Sequence, residues 1–251
     1  MTTTDYSVDF RLDDLEPADD RSSEVYDLTW IGDYTPISRH DVGERSFIVA
    51  FDASATWGIP NAANIAAFDV VRDASQGTFS MRHSEHATLA FAQNWLVNRG
   101  CPSEALAPAL DLPAPADPLS VRVEDRVRRS GTRLEVVGYQ VIDGDDVEGW
   151  SIAVDRQDKE LPVRLFIETV QPDRYSYTLR EGAFADHAAV ANWLEQRSTP
   201  LPEAPEYRLD AESLRTSAAL ARTTAVSPAA GPCVNSTAKP VNPPQSLGRS
   251  L

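Results

Sequence analysis

The stretch Thr78–Pro102 returns 98 residues later as Ser176–Pro200. Laid without a gap, the two copies share Arg82/Arg180, Ala87/Ala185, Ala90/Ala188, Asn94/Asn192, Trp95/Trp193, Leu96/Leu194, Arg99/Arg197 and Pro102/Pro200. The differences keep their character: Phe79/Tyr177, Ser80/Thr178 and Met81/Leu179 preserve the alternation of a strand. A duplicated strand-then-helix unit restricts the chain to two related lobes. The expected fold class is α+β, two tandem copies of an antiparallel sheet with a C-terminal helix, arranged about a pseudo-twofold axis and followed by a disordered C-terminal tail.

In the first copy the spacing predicts a helix over Ser84–Arg99, with Ser84 as N-cap, Glu85 at the positive end, and Gly100 and Pro102 as the stop. Leu89, Ala92 and Leu96, with Phe91 and Trp95, form one broad apolar stripe; Val190, Trp193 and Leu194 repeat it. Trp95, Trp193, Leu96, Leu194, Phe91, Phe68 and Phe166 are the expected core anchors, because burial is the ordinary use of large apolar side chains. On that reading Trp95→Ala or Trp193→Ala costs roughly 3–5 kcal/mol.

Around the repeat the chain divides by composition. Residues 1–44 are acidic, yet Tyr6, Val8, Phe10 and Leu12 alternate as a half-buried strand does, so this segment is expected to pack partly on the first lobe. The doublets Asp13-Asp14 and Asp19-Asp20 and the run Ser22-Ser23-Glu24 read as solvated loop. The first α+β repeat spans 45–102, a Pro/Ala-rich linker 103–120, and the second repeat 121–200, with Val121–Val127 as its first strand. A short helix is expected within 201–224, and the Pro, Ser, Asn and Gly content of 225–251 predicts disorder.

Charge and motif content remove several function classes. With 38 acidic against 23 basic residues and a formal charge of −15, attraction to nucleic-acid backbones or anionic membranes is disfavoured, and a basic protein partner is allowed. The first residues, MTTTDYSVDF, lack the features of a secretory signal, and no run is apolar enough for a membrane span. Cys101 and Cys233 form no framework, so a reduced, cytoplasmic setting is expected. Only Lys159 and Lys239 among the basic residues are lysines, which, with abundant Ala, Asp and Pro, suggests a bacterial or phage gene. There is no nucleophile elbow and no Walker loop.

The remaining candidates are scattered. His83-Ser84-Glu85-His86 is dense in possible ligands but poorly spaced for a metal, and the acidic run Asp143–Glu148 lacks the ligand pattern of a calcium loop, so no metal and no cofactor is expected. Arg126, Arg128 and Arg129 belong to a basic cluster that would make a one-sided arginine face on a strand. Arg82 and Arg180 recur at equivalent positions and suggest a shared structural contact, while His86 and His187 are possible binding residues. The leading expectation is a non-enzymatic acidic adaptor or regulatory protein that docks on another protein. Two others are a small-molecule binder or enzyme with its site between the lobes, and an acidic nucleic-acid mimic. A deep interlobe pocket favours the former, a flat apolar patch the adaptor.

Overall fold

The computed structural model describes residues 7–55, 60–108, 112–142 and 147–207. The expected tail at 225–251 and most of the expected helix at 201–224 lie outside them. The first module contains β1 (Glu16–Pro17), α1 (Asp20–Ile31), β2 (Tyr34–Val42), β3 (Arg45–Asp52), β4 (Ile65–Asp73), β5 (Thr78–His86) and α2 (Leu89–Val97). The second repeats the series as β6 (Ala114–Pro115), α3 (Pro118–Arg128), β7 (Leu134–Ile142), β8 (Glu148–Asp155), β9 (Val163–Gln171), β10 (Ser176–Phe184) and α4 (His187–Gln196). Each forms a five-stranded mixed sheet, in order β1-β5-β4-β3-β2 and β6-β10-β9-β8-β7. Within each sheet only the two-residue strand, β1 or β6, pairs in parallel. Both modules are α+β, and among the described residues no helix is long and apolar enough to cross a membrane.

The duplicated unit is longer than the helix and strand that reveal it. Residues 103–120 are not only a linker, because Ala114–Pro115 pairs with β10 and α3 starts at Pro118. Val121–Val127 is helix, not strand: Asp117 caps it by accepting from the Ser120 N–H, proline occupies the first turn, and Val123 and Val127, four apart, turn inward. The alternating Arg/Val run yields to that cap and to tertiary burial. Likewise Ser22-Ser23-Glu24 lies in α1, capped by Asp19, rather than in a loop. Ser84 does not cap the C-terminal helix of the first module. β5 continues to His86, opposite Ile65 on β4, and α2 begins only after Thr88.

One latch appears in both modules. Arg82 donates to Asp19 (2.9 Å) and Ser22 (3.2 Å), and the Ser22 hydroxyl accepts the Met81 N–H (3.0 Å). Arg180 donates to Asp117 (2.5 Å) and Ser120 (2.9 Å), and Ser120 accepts the Leu179 N–H (3.0 Å). The cap carboxylate that starts each first helix thereby ties it to the middle of the last strand. The arginine holds the Asp117 carboxyl down to about 2 and Asp19 further below the usual range.

The modules meet head-to-tail, through unlike elements, where a twofold axis would pair like with like. One side of α2 lies on its own sheet, Ala92 and Leu96 packing with Phe47, Val49 and Ala67. Its other side enters the second module, where Ala90 and Phe91 pack with Val123, Val127 and Phe166. Gln93 and Asn94 extend the join, accepting from Arg128 Nε (2.7 Å) and donating to the Gly131 carbonyl (3.1 Å). Because α2 has protein on both sides it is buried around most of its circumference, Gln93 and Asn94 included, whereas α4 is buried on one side only, at Val190.

The N-terminal segment performs for the first sheet what α2 performs for the second. Val8, Phe10 and Leu15 pack with buried Leu12 on the face that holds Phe68 and Phe79. Residues 8, 10 and 12 alternate inward without forming a strand; Tyr6 lies outside the described residues.

Candidate ligand cleft between the modules

A cleft of about 880 Å³ opens where the join ends. The first module lines it with Thr35, Ile37, Phe51, Ile65 and Leu89, and the second with Val141, Val147 and Val170. Leu112 and Pro113 of the connecting chain and Pro115 of β6 also line it. Gly149, also in the lining, allows the modules this close: a Cβ there would stand 2.9 Å from the Ala87 carbonyl oxygen. Asn61 and Tyr139 add cross-module hydrogen bonds nearby, to Val141 N–H (3.1 Å) and from the phenol to Glu85 (3.3 Å).

Into this apolar space project Glu124 from α3, Glu168 from β9 and Tyr177 from β10. Tyr177 Oη donates to Glu124 Oε2 at 2.5 Å, and Arg128 donates to Oε1 of the same carboxylate. Burial and the glutamate beside it hold the Tyr177 phenol far above its ordinary value. Glu168 stands opposite Gly149 in the β8–β9 register, so no side chain covers it from that strand. It is set deep in protein yet keeps part of its surface open to the cleft. Among the described residues no hydrogen bond or ion pair reaches it. Burial, reinforced by the charge of Glu124, pushes its carboxyl up to about 8.

The first module supplies an internal control. At the positions equivalent to Glu124, Glu168 and Tyr177 it has Tyr26, Val70 and Phe79, which pack together in its core, with Tyr26 and Phe79 edge-to-face at 5.4 Å. Where Val170 lines the cleft, the first module has Arg72, which donates to the Phe10 (2.6 Å) and Arg11 (2.9 Å) carbonyls and ties the N-terminal segment down. The three positions thus carry packed rings and a valine in one copy and two carboxyl groups and a phenol in the other. Comparison of the chain with protein-family models, curated proteins and solved structures returned no match.

The residues singled out from sequence fall elsewhere. Arg82 and Arg180 serve the two latches. His86 is buried with Nε2 unpartnered, its pKa lowered by burial to about 3, and His187 lies exposed at the start of α4. Arg126 and Arg128 sit on a helix, with Arg129 as its C-cap, rather than on a strand face. Arg128 reaches the cleft only through Glu124; Arg129 is exposed. Arg126 joins a buried network around Arg164, whose guanidinium reaches Asp158 (2.8 Å), Glu181 (3.2 Å) and Glu206 (3.0 Å), while Arg133 holds Asp155 (2.6 Å).

Of the expected core anchors, Phe68, Phe91, Phe166 and Leu96 are buried and Leu194 partly so. Trp95 and Trp193 are corrections: both are half-buried, with Arg99 and Arg197 over their rings at 3.4 and 5.8 Å. Each tryptophan lies at the margin of its helix–sheet contact, where its outer ring face remains free for an arginine. Among the described residues no group of three His, Cys, Asp or Glu side chains is placed to hold a metal ion. Tyr177 is legible in the sequence only as the strand counterpart of Phe79, and Glu124 and Glu168 escape sequence reading, though the 98-residue register, extended upstream of the repeat, pairs them with Tyr26 and Val70.

Proposed function

We propose that this chain is a non-catalytic receptor for a small organic molecule held in the cleft between its modules. The supporting observation is Glu168: an ionisable group set deep, without a partner among the described residues, where the other copy of the module has Val70. A partnerless carboxylate in the interior is costly, and such exceptions to an otherwise consistent core concentrate at functional sites. Apolar walls with a few convergent polar groups suit binding. The test is to graft the first module's solution onto the second, Glu124→Tyr, Glu168→Val and Tyr177→Phe together. The grafted chain should fold and lose the thermal shifts that small molecules give the parent; equal shifts in both would end the cleft reading.

A second reading keeps the expectation of a basic protein partner and rests on α1. Its C-terminal turn exposes Trp30 (75%) and Ile31 (76%), near Leu28, with exposed Asp20, Glu24, Asp27 and Asp33 along the same helix and its end. An apolar patch with an acidic rim complements a basic, amphipathic peptide. Trp30 fluorescence should shift on titration with such a peptide and not with an acidic one of the same apolar pattern; equal responses to both would remove this reading.

A further inference from the structure

We infer that the molecule received by the cleft is an organic cation, a protonated amine or amidine on an apolar stem, whose charged head settles between Glu168 and Glu124. The inference rests on the cleft reading and names its ligand class. The acids of the lining are Asp52, Glu124 and Glu168, and no described residue of the lining is basic. An anion would meet three carboxyl groups and no counter-charge, so the walls select against it. A cation meets acceptors.

The acids are not equivalent, which places the head group. Asp52 on the far wall already accepts the N–H and hydroxyl of Ser54 (2.9 and 2.6 Å). Glu124 already accepts from Tyr177 and Arg128. Glu168 alone of the three has its acceptor capacity unspent among the described residues; the Ala87 turn sits over Gly149 beside it, and its remaining surface opens onto the cleft. The stem then has Phe51, Ile65, Leu89 and Val170 to lie against. In the first module the three positions are Tyr26, Val70 and Phe79, none of them a carboxylate, and the N-terminal segment covers the sheet.

Binding is coupled to a proton. The charged groups facing Glu168 are Glu124 on α3, with Arg128 behind it, Tyr177 on β10, and Asp52 across the cleft; their sum disfavours a further negative charge. At pH about 7 Glu168 therefore carries its proton, its carboxyl titrating near 8. An arriving ammonium ion keeps its own protons, Glu168 releases one to solvent, and the ion pair forms between carboxylate and ammonium. Affinity for an amine should rise by up to about tenfold per pH unit as pH climbs towards 8 and level off above it.

The experiment is calorimetric titration of the full chain with hexylamine, hexanol and hexanoate, at pH about 6 and about 8.5, in two buffers of different ionisation enthalpy. The expected result is hexylamine bound at least about tenfold tighter than hexanol, close to one proton released per amine at pH about 7, and the preference abolished in Glu168→Gln while hexanol still binds. Hexanol or hexanoate binding as tightly as the amine would overturn the cation and leave the cleft standing. Binding of none of the three, with thermal midpoints unmoved, would overturn the cleft reading as well. A preference for amine that survives in Glu168→Gln would assign the head group elsewhere and overturn the role of Glu168.

Discussion

Phe91 of the first module meets Phe166 of the second edge-to-face at 5.1 Å, and Phe10 meets Phe68, the residue equivalent to Phe166, at 5.0 Å. The same pocket over the same strand position is filled twice, once by the preceding module and once by a segment outside the repeat. A stack of such modules needs a cap at its open end, and residues 8–15 supply it.

Phe91→Ala removes a ring that is 2% exposed and lies at the centre of the join. It should cost about 3–5 kcal/mol, while Phe10→Ala, in a partly buried position, should cost about 1–3 kcal/mol. Denaturant unfolding followed by tryptophan fluorescence measures both. Equal losses would mean that the N-terminal segment anchors its sheet as firmly as α2 anchors the second.

Glu168 sets a pH dependence whose sign is definite. Its carboxyl titrates at 4.5 in an ordinary environment and near 8 in the folded chain. Between those values the folded chain holds a proton that the unfolded chain has lost, so this group makes stability fall as pH rises. Glu168→Gln should therefore change little near pH 4 and stabilise the free protein by roughly 2–4 kcal/mol above pH about 8. Urea midpoints at the two pH values check it; a midpoint difference independent of pH would show that Glu168 ionises freely.

The Arg164 network should respond in the opposite direction. Although burial works against it, hydrogen bonds from Arg126 and Arg164 bring the Glu206 carboxyl down to about 2, from 4.5. Its contribution is complete above pH about 4.5 and is lost as pH falls towards 2, releasing the segment that places Ala204 and Tyr207 against the second core. Arg164→Met leaves buried Asp155 and Glu181 short of a counter-charge and should cost about 3–5 kcal/mol at neutral pH. Proteolysis between residues 196 and 207 on acidification reads the first effect, and thermal unfolding the second.

Gly149→Ala tests how closely the modules must approach. The added methyl group meets a backbone oxygen rather than a flexible side-chain end, so β8 and the Ala87 turn have to separate. A loss of about 1–3 kcal/mol is expected, together with weaker ligand binding, because the same turn lines the cleft. Unchanged stability would show that the turn gives way without cost.

The half-buried tryptophans revise an energetic expectation. With Arg99 stacked on Trp95 at 3.4 Å, Arg99→Ala should cost about 0.5–1 kcal/mol and increase quenching of Trp95 by acrylamide. Trp95→Ala should fall below the 3–5 kcal/mol of a fully buried ring.

Two modules, a sheet and C-terminal helix in each, and the apolar face carried by Phe91 and Leu96 follow from the amino-acid sequence alone. Those properties depend on local periodicity, and a duplicated period is visible without coordinates. Tertiary structure decided the rest. Val121–Val127 alternates like a strand, but its cap at Asp117 and the burial of Val123 and Val127 make it a helix, an outcome that depends on residues outside the run. Ser84 has the chemistry of a cap, yet pairing with β4 holds it in a strand. Glu124, Glu168 and Tyr177 lie on three elements and converge only when the second sheet folds and α3 lies across it. Whether a glutamate is solvated or stranded in a cleft depends on what covers it, and that is set by packing between modules rather than by its neighbours in the chain.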